Sequence, residues 1–428
     1  CLQGDTPEYD LPGHGLFLFI DYGCHHGRGD TRVSGTGQRI GGKLGYDPLL
    51  GTEQRGAFIG RLVVVSPSGY LYSPDRYFFR PDEFCHRRDL QSQTEKEMIS
   101  MNKYDVIPVL QCKKLVAGYR MRDGFVHAVD DVSFDLERGG LLGIAGESGC
   151  GKSTLAFALM RLLKDNAVIE SGEIIFKGKD LARLKDNEMK KIRWVDISMV
   201  FQSAMNALNP VLSIGEQLTD VVHAHSEATQ SEAYDKAIEV LKLVDISQDR
   251  FNSYPHQLSG GMKQRVMIAM ALILNPALVI MDEPTTALDV VVQRTIVEKI
   301  QELRNALGFS VIFITHDLSL LVEISDTLAI MYAGKIVEYG SAEVLFNHPL
   351  HPYTIGLMNS FPSLTGKISR MGGIEGKPPN LLDPPEGCRF SPRCPQAMSI
   401  CRKSYPSLEN KGENHSVACF LHEGVDKP

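Results

Sequence analysis

Gly146-Glu147-Ser148-Gly149-Cys150-Gly151-Lys152-Ser153-Thr154 is the stretch whose reading decides the fold. It fits G-x-x-x-x-G-K-[ST], the pattern of a phosphate-binding loop. The run before it, Leu141-Leu142-Gly143-Ile144-Ala145, is apolar and short enough for a buried strand; Leu155 to Leu163 after it reads as a helix. Glycines at 146, 149 and 151 let the backbone curl so that successive N–H groups face an anion. The following helix adds the partial positive charge of its N-terminus. Lys152 is expected to reach the β- and γ-phosphates of a nucleotide, and Ser153 to ligate Mg²⁺. Ser148 and Thr154 complete the loop. A chance glycine-rich turn would lack the flanking strand and helix.

Working outward, other apolar runs deliver polar residues to their ends. Ile197 to Phe201 reads as a buried strand ending at Gln202, which could hold Mg²⁺ and orient a water or could simply be a solvated loop residue. Leu278-Val279-Ile280-Met281-Asp282-Glu283 is a strand that ends on two acids. Asp282 is expected to hold Mg²⁺ through water and Glu283 to act as general base. Ala287-Leu288-Asp289 follows in a turn, before a helix from Gln293 to Leu307. Ser310 to Thr315 is a further buried strand, ending at His316, which could contact the γ-phosphate. Leu110 to Tyr119 and Val126 to Leu136 alternate as strands of a small antiparallel sheet. Tyr119 could stack on adenine; the competing reading is a half-buried strand tyrosine.

Between the strands ending at 202 and 283 the pattern turns helical, with candidate helices Glu216–Ala224 and Glu232–Val244. Leu258-Ser259-Gly260-Gly261-Met262-Lys263-Gln264-Arg265 then starts another helix, with Ser259 as its N-cap. Bare amides at Gly260 and Gly261 offer a second anion site. Two such sites in one chain suggest a dimer in which each copy completes the other's site. Leu328–Met331 and Gly334–Gly340 read as a closing hairpin. The fold class is therefore α/β: a P-loop NTPase core with a small antiparallel subdomain and a helical insertion, plus a Cys-containing C-terminal extension.

The 428 residues suffice for two or three domains. The net charge of −7 gives no polybasic case for nucleic acid as main partner. No run of 18 apolar residues predicts a membrane span, and Leu16 to Ile20 is too short for a signal-peptide core. A cytosolic location is expected. Residues 1–97 carry no methionine and no assignable function. Either translation begins at Met98 or Met101, or the segment is an extension. Gly23-Cys24-His25-His26-Gly27 has too few ligands for a metal site. Val63–Val65 and Tyr70–Tyr72 read as strand fragments around Pro67-Ser68-Gly69.

Four of the nine cysteines fall near the C-terminus, as Cys388-x5-Cys394-x6-Cys401-x17-Cys419. The spacing is neither a paired C-x2-C zinc arrangement nor a ferredoxin run. Four thiolates could hold [4Fe–4S] or Zn²⁺, with His415 a substitute ligand.

Taken in order, the phosphate loop, Gln202, the Leu258–Arg265 signature, Asp282-Glu283, Asp289 and His316 resemble the nucleotide-binding subunit of ABC transporters, over about residues 106–345. A finer resemblance is to the ATPases of dipeptide/oligopeptide importers, of the "D" subunit type. It rests on Phe201-Gln202 leading to Ala207-Leu208-Asn209-Pro210, on Tyr254 to Ala269, and on Gly387-Cys388-Arg389-Phe390-Ser391-Pro392-Arg393-Cys394-Pro395. Residues 1–97 lie outside it; 106–345 would be the ABC ATPase domain and 346–428 the importer extension. The resemblance implies ATP and Mg²⁺ between two head-to-tail subunits. Tyr119, Lys152, Ser153, Gln202, Asp282, Glu283 and His316 of one would act with Ser259 and Gly261 of the other. It implies an F-type ATPase partner in a heterodimer, two transmembrane permeases and an extracytoplasmic substrate-binding protein. It places the chain on the cytoplasmic face of the membrane, and favours the [4Fe–4S] cluster over zinc. A soluble ABC ATPase of a metabolic or nucleic-acid-related complex is the competing class. Against it stand the single ATPase domain and the lack of a long coiled coil. An inactive regulatory subunit is a third reading, and intact Lys152, Asp282, Glu283 and His316 argue against it.

Overall fold

Apolar runs of four or five residues, bounded by turns, form the centre of the molecule. The computed structural model describes residues 64–65, 71–72, 78–79 and 108–423, apart from 165, 203–206, 287, 361–372 and 413. The Cys24-His25-His26 cluster, the Leu16–Ile20 run, the Pro67-Ser68-Gly69 turn, Met98, Met101 and Ala287 lie outside the described residues. The chain divides into two units, Cys1–Asp105 and Val106–Pro428. In the first, β1 (Val64–Val65), β2 (Leu71–Tyr72) and β3 (Phe78–Phe79) pair antiparallel, Val64 opposite Tyr72 and Leu71 opposite Phe79.

In the second unit, β4 (Leu110–Met121), β5 (Gly124–Leu136), β7 (Ala167–Phe176) and β8 (Lys179–Asp180) form a four-stranded antiparallel sheet in the order β5-β4-β7-β8. The Ser171-Gly172 pair lies inside β7 rather than breaking it: Gly172 takes φ +98° and the β4–β7 register shifts beside it. The remaining strands make the second sheet. They are β6 (Leu141–Ala145), β9 (Ile197–Val200), β10 (Leu278–Asp282), β11 (Ser310–Ile314), β12 (Thr327–Tyr332), β13 (Lys335–Ser341), β14 (Glu409–Asn410) and β15 (Ser416–Val417). Its order is β14-β15-β13-β12-β6-β11-β10-β9, with β9, β10, β11, β6 and β12 parallel. Strands β6, β9, β10 and β11 are buried throughout, which explains their continuous apolar sequence. Alternate residues feed two cores, one per face. Leu141, Val279, Val311 and Phe313 point to one; Leu142, Ile144, Ile280 and Ile312 point to the other.

The helices are α1 (Lys152–Leu159), α2 (Asp186–Ile192), α3 (Ile214–His225), α4 (Gln230–Leu243), α5 (Gly260–Leu272), α6 (Val290–Leu307), α7 (Leu318–Ile324), α8 (Ala342–Asn347) and α9 (Pro352–Asn359). α1 ends four residues before the expected Leu163. Arg161 turns to φ +50°, and the Arg193 guanidinium donates to the Met160 and Arg161 carbonyls at 3.0 and 2.6 Å, capping the end from outside. Helices α3 and α4 form the expected helical insertion and pack on each other and on α5. Each opens with a reciprocal cap, Ser213 with Glu216 and Thr229 with Glu232.

The C-terminal extension has more apolar core than its composition suggests. Phe390, Cys401, Val417, Cys419 and Phe420 are buried. Its strand β15 continues the main sheet, with Glu338 opposite Val417 and the Ala418 amide donating to the Val337 carbonyl at 2.9 Å. His415 is therefore no spare ligand: its Nε2 bonds Glu338 Oε1 at 2.7 Å. That carboxylate, fully buried, also accepts from the Leu350 and His351 amides at 2.7 and 3.0 Å. Among the described residues, no helix is long and apolar enough to cross a membrane.

Candidate nucleotide-binding site

Parallel strands in register end at one edge, and the residues after them share it. Val200 lies beside Met281, Asp282 beside Ile314, and Ile314 beside Ile144. The segments at Gly146, Gln202, Glu283 and His316 therefore leave the sheet at neighbouring points along its carboxyl edge, where open α/β sheets hold ligands.

After β6 the chain must turn tightly beneath its neighbours. A Cβ on Gly146 would lie 2.2 Å from the Met331 carbonyl oxygen, and one on Gly151 1.9 Å from that of Ala128. Both glycines take positive φ, +154° and +108°. No side chain satisfies these demands. Gly151 then caps α1 without a side-chain bond, leaving first-turn amides for a ligand. Lys152 is buried, and its ammonium donates to the carbonyls of Gly146 and Glu147 at 2.7 and 3.0 Å. The Tyr119 hydroxyl lies 3.0 Å from Thr154 Oγ1, so β4 brings this tyrosine to the start of α1.

Glu283 follows β10 in a left-handed conformation, φ +47°, uncommon for a side chain of this kind. Its amide donates to the Ile314 carbonyl at 2.8 Å, which holds the turn. Gln202 Nε2 and Thr286 Oγ1 donate to Glu283 Oε2 at 2.8 and 3.0 Å, and His316 Nδ1 lies 3.6 Å from Oε1. Three residues nominated from distant parts of the sequence thus meet at one carboxylate. Asp282 is 1% exposed, and its Oδ1 has no hydrogen-bond partner. Burial pushes its carboxyl above the usual range, while the Ser153 hydroxyl and Lys152 ammonium pull the other way. An orphaned, buried carboxylate oxygen beside a serine hydroxyl suits a hard divalent cation such as Mg²⁺.

Ser259 caps α5 as expected, its Oγ accepting from the Met262 amide at 3.3 Å, and Asp289 caps α6, accepting from Val292 at 3.0 Å. Val292 Cγ1 would lie 2.7 Å from a Cβ on Gly261, so the starts of α5 and α6 adjoin. Neither of these caps is bonded to the Glu283 cluster.

Cys388, Cys394, Cys401 and Cys419 line one small cavity, walled also by Phe390 and Pro352, with no carboxylate in the lining. Burial raises the thiols of Cys388 and Cys419 to about 11, with their neighbouring thiols adding to the rise. Among the described residues, no three candidate ligands already converge on a metal position.

Two contacts to the phosphate loop were not legible in the sequence. The Glu147 carboxylate pairs with Arg393, 2.7 and 3.0 Å, and the Glu147 amide donates to the Tyr353 hydroxyl at 2.9 Å. No local pattern signals partners more than 200 positions away.

Comparison with known proteins agrees with this geometry. The ABC transporter family matches residues 129–286, and the oligopeptide/dipeptide transporter C-terminal region matches 337–401. The chain is 48% identical over 316 residues to the oligopeptide transport ATP-binding protein OppD of Haemophilus influenzae, covering 73% of this chain and 97% of that one. It is 44% identical over 318 residues to the dipeptide transport ATP-binding protein DppD of Caldanaerobacter subterraneus, covering 74% and 97%. The chain belongs to the ATP-binding subunits of dipeptide/oligopeptide ABC transporters. A solved structure of cbiO1 from Clostridium perfringens, part of the ABC transporter complex cbiONQ, overlays 56% of this subunit and 91% of its own chain, with TM-score 0.50 and 27% identity. As an ABC subunit the chain is an ATPase, with ATP and Mg²⁺ as its expected ligands.

Proposed function

We propose that this subunit hydrolyses ATP to drive uptake of dipeptides or oligopeptides through partner permeases. The observation that carries the reading is the meeting of Gln202, Glu283 and His316 beside Asp282, on the sheet edge that bears the phosphate loop. Tyr119 stacks on adenine, giving up its bond to Thr154 as the nucleotide enters. The amides of residues 146–154, with Lys152, hold the β- and γ-phosphates. Ser153, Asp282 and Gln202 hold Mg²⁺, which when bound neutralises phosphate charge. Glu283 takes the proton of a water whose oxygen bonds to the γ-phosphorus, while the bridging P–O bond to ADP breaks. His316 steadies the γ-phosphate. Ser259, Gly260, Gly261 and Asp289 serve the site of a second subunit, in a head-to-tail dimer with an F-type ATPase.

The assembly places the chain peripherally on the cytoplasmic face of the membrane, with two permeases and an extracytoplasmic binding protein that selects the cargo. Residues 106–345 act as the ATPase domain and 346–428 as an importer-specific extension. We assign the four-thiol cavity to a [4Fe–4S] cluster, with Zn²⁺ as the alternative. Support comes from a donor set of four soft sulfurs sharing one carboxylate-free space; the ligands would have to draw together on binding.

Glu283→Gln tests the central chemical step. It should lower turnover by about a hundredfold or more, the usual worth of a general base, with MgATP binding retained. Turnover matching the parent would remove Glu283 as the base.

A further inference from the structure

We propose that Arg393 and Tyr353, contributed by the C-terminal extension, are positioning residues for the phosphate loop and set its affinity for ATP. The proposal rests on reading residues 146–154 as the phosphate site.

Glu147 is a carboxylate inside a loop whose task is to hold a polyanion. Unpaired, it would repel the triphosphate. Arg393 pairs it through both oxygens, NH1 to Oε2 at 2.7 Å and NH2 to Oε1 at 3.0 Å. This fork-on-fork geometry fixes orientation as well as charge. Every N–H of the guanidinium is used: Nε donates to the Glu375 carbonyl at 2.9 Å, NH1 also to the Tyr332 hydroxyl at 3.2 Å, and NH2 also to the Ile374 carbonyl at 3.2 Å. The Arg393 side chain is 5% exposed. Its guanidinium carbon sits 5.7 Å from the Tyr332 ring centre and 6.0 Å from that of Phe390. Tyr332, Tyr353 and Phe390 pack on one another, with centroids 4.6 to 5.4 Å apart. Five donors with five acceptors in a packed aromatic frame make a rigid support.

Tyr353 completes it. The ring is fully buried, and its hydroxyl accepts from the Glu147 amide at 2.9 Å. The loop is thus held at one residue through both its side chain and its backbone. The support reaches the thiol cavity too. Arg393 precedes Cys394 in sequence, and Phe390 walls the cavity on one side and packs against both tyrosines on the other.

The test reads MgATP affinity on the purified 428-residue chain by displacement of a fluorescent ATP analogue, and KM and kcat on that chain assembled with its partner subunits. Arg393→Ala should weaken binding by about tenfold, the worth of a lost charged hydrogen bond. KM should rise more than kcat falls. Adding Glu147→Gln to Arg393→Ala should recover most of the loss, because the unpaired carboxylate is gone. General damage to the fold would not be relieved by that second change. Arg393→Lys should fall between the parent and Arg393→Ala. Tyr353→Phe keeps the packing and removes only the acceptor for the Glu147 amide, so it serves if Arg393→Ala fails to fold; a several-fold loss of affinity is expected. Unchanged affinity in Arg393→Ala or, where that variant fails to fold, in Tyr353→Phe overturns the proposal, as does Arg393→Ala unrelieved by Glu147→Gln. A parent chain that binds no MgATP would instead overturn the phosphate-site reading.

Discussion

At the scale of single residues, the site is built from side chains placed at cost. Glu283 holds a left-handed backbone that a glycine would adopt freely, and four contacts keep it there. A glycine would relax the turn and lose the carboxylate, so the strain accompanies the chemistry. Asp282 is buried with one oxygen unpartnered, a debt that a bound cation would settle. The thiols of the extension show the same signature. Burial and mutual repulsion disfavour their thiolate forms, a condition that packed thiols hold and that a bound metal would reverse. If the proposed cluster is present, protein purified without oxygen should carry iron and acid-labile sulfide in near-equal amounts, lost together in Cys394→Ser. Zinc without sulfide would favour the alternative, and neither would leave the cavity a packed thiol cluster. These residue types were visible in the sequence because each follows a short apolar strand or a motif glycine. Arg393, Tyr353 and Glu338 were not. Their partners come from far along the chain, and pairing at such separation leaves no local periodicity.

At the scale of elements, strand identity was the most legible feature, since full burial on both faces demands the uninterrupted apolar runs of β6, β9, β10 and β11. Element ends were less so. α1 stops at Leu159, where Arg161 turns left-handed and Arg193, from another element, takes the Met160 and Arg161 carbonyls just beyond the helix, and the Ser171-Gly172 pair sits as an irregularity inside β7. Helix α9 shows how an element's stability can depend on one titrating group. His351 is its N-cap, Nδ1 accepting from the Tyr353 amide at 3.0 Å, which requires an unprotonated Nδ1. Burial pushes the ring from 6.5 to about 4. Between those values the unfolded chain binds more protons than the native one. The stabilisation is therefore full above pH 6.5 and is lost as pH falls towards 4. Urea midpoints should drop between pH 7 and pH 5, and His351→Asn, which keeps an N-cap acceptor without this titration, should flatten that drop. An unaltered slope would place the pH dependence elsewhere.

At the scale of the whole molecule, the ATPase core and its extension are one structure. β15 pairs with β13 of the main sheet, Glu338 collects two amides and a histidine from two later segments, and Arg393 grips the phosphate loop. The extension is thus placed to affect nucleotide handling. The order of motifs along the chain already resembled an ABC ATPase, and parallel strands that deliver their ends to one edge bring those motifs together whatever the loops between them do. The claim that ATP hydrolysis here drives peptide uptake is tested most directly by a mild-detergent pull-down of the tagged Glu283→Gln chain from its native membranes in MgATP, with every co-purifying protein identified. The account predicts two multi-span permeases and a second, F-type ATPase subunit. A set of soluble partners with no permease would contradict it.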